Sequence, residues 1–104
     1  MMVQVLRCKI HRARVTGANV RYVGSISIGS NFMERVGLQE FEKVLVCDIT
    51  NGERLETYVI KGKRGEIRMN GAAAKRIGEG DLVTIMAFGL VEEGTKIKPK
   101  IVNF

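Results

Sequence analysis

The sequence predicts a single, mostly β domain with short helices, and three observations favour this fold class. Apolar and polar residues alternate with a period of two over several runs, as they do in half-buried strands. Asn51-Gly52 is the strongest hairpin signal, because both residues accept a positive φ. With 104 residues, of which 45% are hydrophobic, the chain can build one core and shows no internal linker. A domain of this size is marginal alone, so oligomerisation is expected.

The strands follow from the period-two pattern and from the turn residues between the runs. They are expected over residues 2–15, 20–28, 44–50, 53–60, 66–69, 82–88 and 98–102. The first strand should project Lys9 and His11 from one face. The fourth should project Arg54, Glu56 and Tyr58 together from one face, so that a guanidinium and a phenol can address one cavity.

Two short helices are expected between these strands. The first covers residues 32–36, with Asn31 as its N-cap and Gly37 as its C-terminal stop. The second covers residues 72–77, where Asn70 can act as the cap and Gly78 ends the helix. Both helices are too short to form a layer of their own, so the sheet must supply the core.

Composition limits the classes of function. The formal charge of +6 is compatible with a nucleic-acid partner, but equally with a cationic pocket that gathers a dicarboxylate. Aromatic residues make up only 6% and do not alternate with basic ones, which argues against a stacking platform. Cys8 and Cys47 lie in apolar runs without metal-ligand spacing, so reduced thiols and no metal site are expected. No run approaches the ~18 apolar residues of a membrane span, so a soluble, cytoplasmic protein is expected.

The Gly24-Ser25 bond is the most informative feature of the chain. A strained Gly-Ser bond can break when the serine hydroxyl attacks the preceding carbonyl and converts the amide to an ester. Elimination and hydrolysis then leave a pyruvoyl group at the new chain end. The dipeptide alone is a weak signal, because Gly and Ser are both common residues.

Five segments around this bond strengthen the signal. They are Lys9-Ile10-His11-Arg12-Ala13, Tyr22-Val23-Gly24-Ser25-Ile26, Asn51-Gly52-Glu53-Arg54, Thr57-Tyr58 and Asn70-Gly71-Ala72-Ala73-Ala74. In order and spacing, the chain resembles the pyruvoyl-dependent aspartate 1-decarboxylases over nearly its whole length. The resemblance implies a six-stranded double-psi β-barrel spanning residues 1–104. It also implies cleavage between Gly24 and Ser25 into chains 1–24 and 25–104.

The resemblance further implies an activity, a cofactor and an assembly. The activity is decarboxylation of L-aspartate to β-alanine, a precursor in pantothenate synthesis, and the cofactor is the pyruvoyl group derived from Ser25. That group would serve as an electron sink conjugated to the substrate amine. The assembly is a homotetramer with its sites between subunits. Some relatives mature with the help of a protein partner, and whether this chain does is left open.

The same resemblance assigns roles to individual residues. Lys9 and Arg54 match the cations that bind the two substrate carboxylates, although which carboxylate each takes stays open. Tyr58 matches the proton donor. Thr57 matches the residue that assists cleavage by hydrogen-bonding the Gly24 carbonyl, yet period two points Thr57 away from Tyr58. The two side chains therefore need a local twist or sites on different faces.

The remaining candidates carry an alternative each. Asn70 with Gly71, Ala72 and Ala73 resembles a substrate-contacting turn, but helix capping explains Asn70 almost as well. His11 and Tyr22 are expected to support the pocket or the cleavage. The rival to the enzyme is a basic β-barrel module that binds nucleic acid or an acidic protein without catalysis, and a second rival is a barrel that never matures.

Overall fold

A computed structural model describes residues 1–104 and is mostly β, as predicted. Its eight strands are β1 (Met2–Arg14), β2 (Gly17–Asn19), β3 (Ser25–Gly29), β4 (Lys43–Asp48), β5 (Arg54–Gly62), β6 (Ile67–Asn70), β7 (Leu82–Glu92) and β8 (Lys100–Asn103). One α-helix, α1, covers Ser30–Val36, and a 3-10 helix covers Gly71–Lys75. No helix has both the length and the apolar character that crossing a bilayer demands.

All strands join one sheet in the order β2-β6-β3-β5-β4-β7-β1-β8. Three contacts are parallel, namely β1 with β8, β2 with β6 and β3 with β5, and the others are antiparallel. The structure has eight strands, against seven expected from the pattern, and the additional one is β2, which lies between the first two predicted strands and pairs with β6. Only residues 15–16 separate β1 from β2, so one stretch of chain contributes strands near both ends of the order.

The core lies on the inner face of this curved sheet. Alternation along β4 buries Val44 and Val46, while Leu45 and Cys47 stay half-buried on the outer face. Both faces of β3 are covered, since all five of its residues are buried. The largest fully buried side chains are Ile10, Ile26, Ile28, Ile67, Met69, Ile77 and Ile85. Full burial of one such side chain contributes about 1.5–3 kcal/mol, so this cluster supplies the main driving force for folding.

The predicted strand over residues 20–28 is wrong in its first half. Residues 20–24 form a turn and a bend, and the strand begins only at Ser25. The reason is tertiary, because β2 pairs with one edge of β6 and β3 with the other, so this segment crosses from one side of β6 to the other and packs there against the Gly71 backbone. The Gly24-Ser25 bond therefore lies at the point where a loop enters a buried strand.

The turn and cap predictions were right in place and wrong in detail. Gly37 ends α1 with φ 75°, as expected, but Asn31 does not cap the helix and instead accepts a hydrogen bond from the Gly65 N–H at 2.8 Å.

The hairpin after β4 is longer than two residues. Its cause is Asp48, whose Oδ1 accepts the N–H groups of Thr50 at 2.8 Å and Asn51 at 3.2 Å and so builds a side-chain turn.

Candidate active site

Ser25 begins β3 and is 1% exposed. Its hydroxyl donates to the Val23 carbonyl at 2.9 Å and accepts from Asn70 Nδ2 at 3.0 Å. The first bond turns the hydroxyl back over the Gly24 peptide, and the second supplies a donor that stabilises negative charge on the oxygen. Together the two bonds fix the position of Ser25 Oγ next to the Gly24-Ser25 peptide.

Asn70, the last residue of β6, is fully buried and organises the site. Its Nδ2 donates to both Ser25 and Ser27 at 3.0 Å, and it makes no capping bond to the 3-10 helix that follows. An amide nitrogen has two N–H groups, so both are used by the serines. The expectation that the Asn70 side chain caps this helix is therefore wrong, and the residue lies in the cavity wall instead. Asn70 Oδ1 is buried without a hydrogen-bond partner.

Gly71 holds the segment that contains the Gly24-Ser25 bond. It adopts φ +70°, and a Cβ at this position would lie 2.6 Å from Gly24 Cα and 3.1 Å from the Tyr22 carbonyl oxygen. Only glycine combines this φ with such close approach of two backbones. The following alanines continue the 3-10 helix and leave the cavity open.

A cavity of about 530 Å³ lies beside Ser25. Predicted residues that line it are Gly24, Ser25, Thr57, Tyr58, Asn70, Ala72 and Ala73, and Leu55, Glu56 and Arg76 complete the wall. Thr57 and Tyr58 both reach this cavity because β3 begins at Ser25 and leaves the neighbouring edge of β5 unpaired before Tyr58. Of the two alternatives, a local twist or sites on different faces, this structure places both residues in the wall of one cavity. No hydrogen bond joins Thr57 to Gly24 in this structure.

Lys9, His11 and Arg54 do not line the cavity. Lys9 pairs with Met86 and lies on β1, four strands from β3 in the sheet order. That separation is roughly 19 Å around the sheet at ~4.8 Å per strand. His11 Nδ1 lies 3.2 Å from Thr84 Oγ1 on the same outer face. Arg54 begins β5, four residues before Tyr58, so one chain does not bring the predicted cations to Ser25.

Tyr22 also lies outside the Ser25 cavity. It is 55% exposed in the turn before Gly24 and lines a neighbouring cavity of about 300 Å³ with Ser27 and Lys61. Asn70 belongs to the walls of both cavities. Tyr22 therefore touches the cleavage segment through its backbone, whereas its side chain faces away from the cavity that Ser25 enters.

A family profile described as aspartate decarboxylase matches residues 1–104. This chain belongs to the aspartate decarboxylase family. It is 50% identical to an aspartate 1-decarboxylase of Campylobacter hominis, over 99% of this chain and 92% of that protein. It is 56% identical to one of Caldicellulosiruptor saccharolyticus, over 98% and 83% of the two chains. A third, of Bacteroides fragilis, is 47% identical over 98% and 91%.

Membership of the aspartate decarboxylase family favours the enzyme over the rival binding module suggested by the charge. The predicted residues that this family member brings to one cavity come from three elements: the start of β3, the middle of β5 and the β6 to 3-10 helix junction. Ser25 is buried and lines that cavity.

Sequence reasoning missed two features of this decarboxylase-family site. Arg76 lines the cavity, but it follows the matched Asn70-to-Ala74 segment, so no motif pointed to it. Asp48 is 2% exposed, with Oδ2 lacking a donor. Burial and a hydrogen bond shared with Asp81 raise the pKa of Asp48, and the same bond lowers the pKa of Asp81.

Proposed function

We propose that this chain is a self-processing decarboxylase that converts L-aspartate to β-alanine and CO2, and so supplies pantothenate and coenzyme A synthesis. The observation that carries the proposal is the Ser25 hydroxyl in a chain of this family. It is buried, held by Asn70 and the Val23 carbonyl, and opens on a cavity large enough for a small dicarboxylate. The cytoplasm, where these precursors are used, is the proposed location.

The cleavage step follows from the position of Ser25 Oγ. This oxygen attacks the Gly24 carbonyl carbon, the C–N bond to Ser25 breaks, and the nitrogen takes up the hydroxyl proton, which leaves an ester. Elimination then removes the Cα proton of residue 25 and breaks its Cβ–O bond, which releases residues 1–24 with a C-terminal carboxylate. The remaining dehydroalanine takes up a proton at Cβ to become an imine, and water hydrolyses it, so that oxygen replaces the nitrogen and ammonia leaves. Residues 25–104 keep the pyruvoyl group. Asn70 Nδ2 at 3.0 Å and the tight Gly71 contact support this step, because both fix the reacting atoms.

The residues around Ser25 fit a pyruvoyl group in size and polarity. Ala72 and Ala73 leave room, and Asn70 supplies a donor to an oxygen at position 25. Such a group supplies an electron sink for the pair that remains when CO2 departs. Thr57 Oγ1 is proposed to polarise the Gly24 carbonyl during cleavage, and Tyr58 Oη to return a proton to the substrate carbon. Both line the same cavity.

A homotetramer with shared sites is proposed as the functional assembly. Lys9 and Arg54 are proposed to bind the substrate carboxylates from a second copy, with His11 supporting them. Their shared outer face supports this, as does the exposure of Phe88 and Leu90 there, at 37% and 67%. An additional maturation protein is not required by this proposal.

The six-stranded double-psi barrel is proposed as the finer description of the fold. The parallel pairing of β3 with β5 between antiparallel neighbours supports it. So does the stretch from β1 through β2, which pairs with β7 and β8 at one end of the order and with β6 at the other. Thr16 N–H also donates to the Ile67 carbonyl at 2.7 Å, which joins this stretch to β6. In this description β2 and β8 are short additions to six core strands.

Fragment masses combined with product analysis test the function. Purified protein incubated warm should give two fragments that meet at Gly24 and Ser25, and the larger should react with hydroxylamine. It should then release CO2 from L-aspartate. Ser25→Ala should abolish cleavage and decarboxylation together, whereas Ser27→Ala, which alters a second buried serine bound to the same amide, should still be cleaved. A chain that stays unbroken, or a Ser25→Ala variant that releases CO2, refutes the proposal.

A further inference from the structure

The cavity beside Ser25 contains one cation of its own chain, Arg76, and one carboxylate, Glu56. Glu56 is already paired, because its Oε2 lies 2.9 Å from Lys43 Nζ. Arg76 Nη1 lies 3.3 Å from Glu53 Oε2, and the two side chains are 64% and 44% exposed. An ion pair this exposed is weak, because water screens both charges. Arg76 can therefore exchange Glu53 for another carboxylate at little cost.

The backbone of Arg76 is fixed although its side chain is exposed. Its N–H donates to the Ala73 carbonyl at 3.1 Å, and its carbonyl accepts from Asn51 Nδ2 at 2.8 Å. The first bond ties Arg76 to the 3-10 helix that forms the cavity wall, and the second ties it to the β4–β5 hairpin. A guanidinium on a fixed base at the cavity mouth can bind a carboxylate through two parallel hydrogen bonds.

We propose that Arg76 is a substrate-binding residue that captures one carboxylate of a dicarboxylate at the mouth of the Ser25 cavity, in competition with Glu53. The inference rests on the proposed function and adds a cation from the same chain as Ser25. Lys9 and Arg54 do not line this cavity in one chain, whereas Arg76 does. Glu53 keeps the guanidinium oriented along the mouth when no substrate is present.

Kinetics of cleaved enzyme provide the first test. Arg76→Gln should be cleaved normally and should raise the KM for L-aspartate by about ten-fold or more, with kcat nearly unchanged. Arg76→Lys should raise KM less, because lysine keeps the positive charge and loses only the two parallel hydrogen bonds of the guanidinium. Glu53→Gln should act in the opposite direction and lower KM about two- to five-fold. Lys75→Gln removes the adjacent exposed charge, which does not line the cavity, and should leave KM unchanged.

Ligand binding to an uncleaved precursor provides the second test and does not need the cofactor. Ser25→Ala protein titrated with succinate should bind this dicarboxylate more tightly than propionate, and Arg76→Gln in the same background should remove most of that preference. If the chain never cleaves, the proposed function fails, and the titration still decides the role of Arg76. Normal cleavage with an unchanged KM in Arg76→Gln overturns the inference alone. A Ser25→Ala precursor that binds succinate no more tightly than propionate also overturns the inference. If Arg76→Gln does not fold, the direction of the Glu53→Gln effect decides.

Discussion

Replacing Gly71 with alanine should block self-cleavage more than it weakens the fold. The new Cβ would lie 2.6 Å from Gly24 Cα and 2.8 Å from Gly24 N, whereas ordinary contact begins near 3.4 Å. The two backbones must therefore separate by nearly 1 Å. Displacement of reacting groups by about 1 Å costs roughly 10²-fold in rate, so cleavage should slow by about two orders of magnitude. The φ of +70° adds strain of about 1–2 kcal/mol to the folded state.

The assay is a time course of intact mass on freshly purified precursor, combined with urea unfolding. Gly94→Ala is the matched control, because Gly94 has φ +87° and no atom within 4 Å of its added Cβ. This control carries the same backbone strain without the clash, so it should lose similar stability and cleave at the parental rate. A folded Gly71→Ala protein that cleaves within about three-fold of the parent would refute the reasoning, because the 10² estimate depends on the displacement.

Two further predictions concern Thr57 and the carboxyl pair. Thr57→Val should slow cleavage by about 10²–10³-fold in the same mass assay, as loss of one oxyanion donor does, and Thr57→Ser should restore it. The raised pKa of Asp48 means that the folded state holds an extra proton, so stability should fall as pH rises from the unfolded value of 3.8 through the folded pKa. The lowered pKa of Asp81 has the opposite effect on the stability of the folded state. It stabilises the fold above pH 3.8, and this stabilisation is lost as the pH falls below 3.8 through the folded pKa. Asp48→Asn should remove the loss at higher pH and be more stable at pH 7 by about 1–3 kcal/mol, measured by urea unfolding; equal pH profiles would contradict this.

Most strands were predictable because their patterns are local. The period-two alternation located β4 and β5 to within two residues at each end, and it gave the start of β7 at Leu82. The alternation wrongly predicted a strand at residues 20–24. These residues cross β6 and pack against the backbone of Gly71, which lies 47 positions further along the chain than Gly24. A hairpin signal was likewise correct in position, but the Asp48 side chain lengthened the turn.

The candidate site was predictable in part, and the limits again have a physical origin. Matching motifs identified Ser25, Thr57, Tyr58 and Asn70, which the fold gathers at one cavity. The spacing of motifs along the sequence does not show which strands pair. It therefore did not reveal that Lys9, on β1, lies four strands from β3. Alternation along β5 left Thr57 and Tyr58 either a local twist or different faces, because it does not show where the neighbouring strand begins. β3 begins only at Ser25, so the edge of β5 before Tyr58 is open and both residues line the cavity.

The buried polar groups explain why the site is rigid around Ser25 and open elsewhere. Two buried side-chain atoms lack partners, Asp48 Oδ2 and Asn70 Oδ1. An unmet buried acceptor costs about 1–3 kcal/mol, so each must be supplied with a donor or tolerated for another reason. For Asp48, burial and the neighbouring Asp81 carboxyl raise the pKa, which lowers the cost of the buried oxygen when the carboxyl is protonated. Both N–H groups of Asn70 are committed to serines and its Oδ1 is itself buried, so the cost of this unmet acceptor falls on the side chain that fixes the position of Ser25 Oγ.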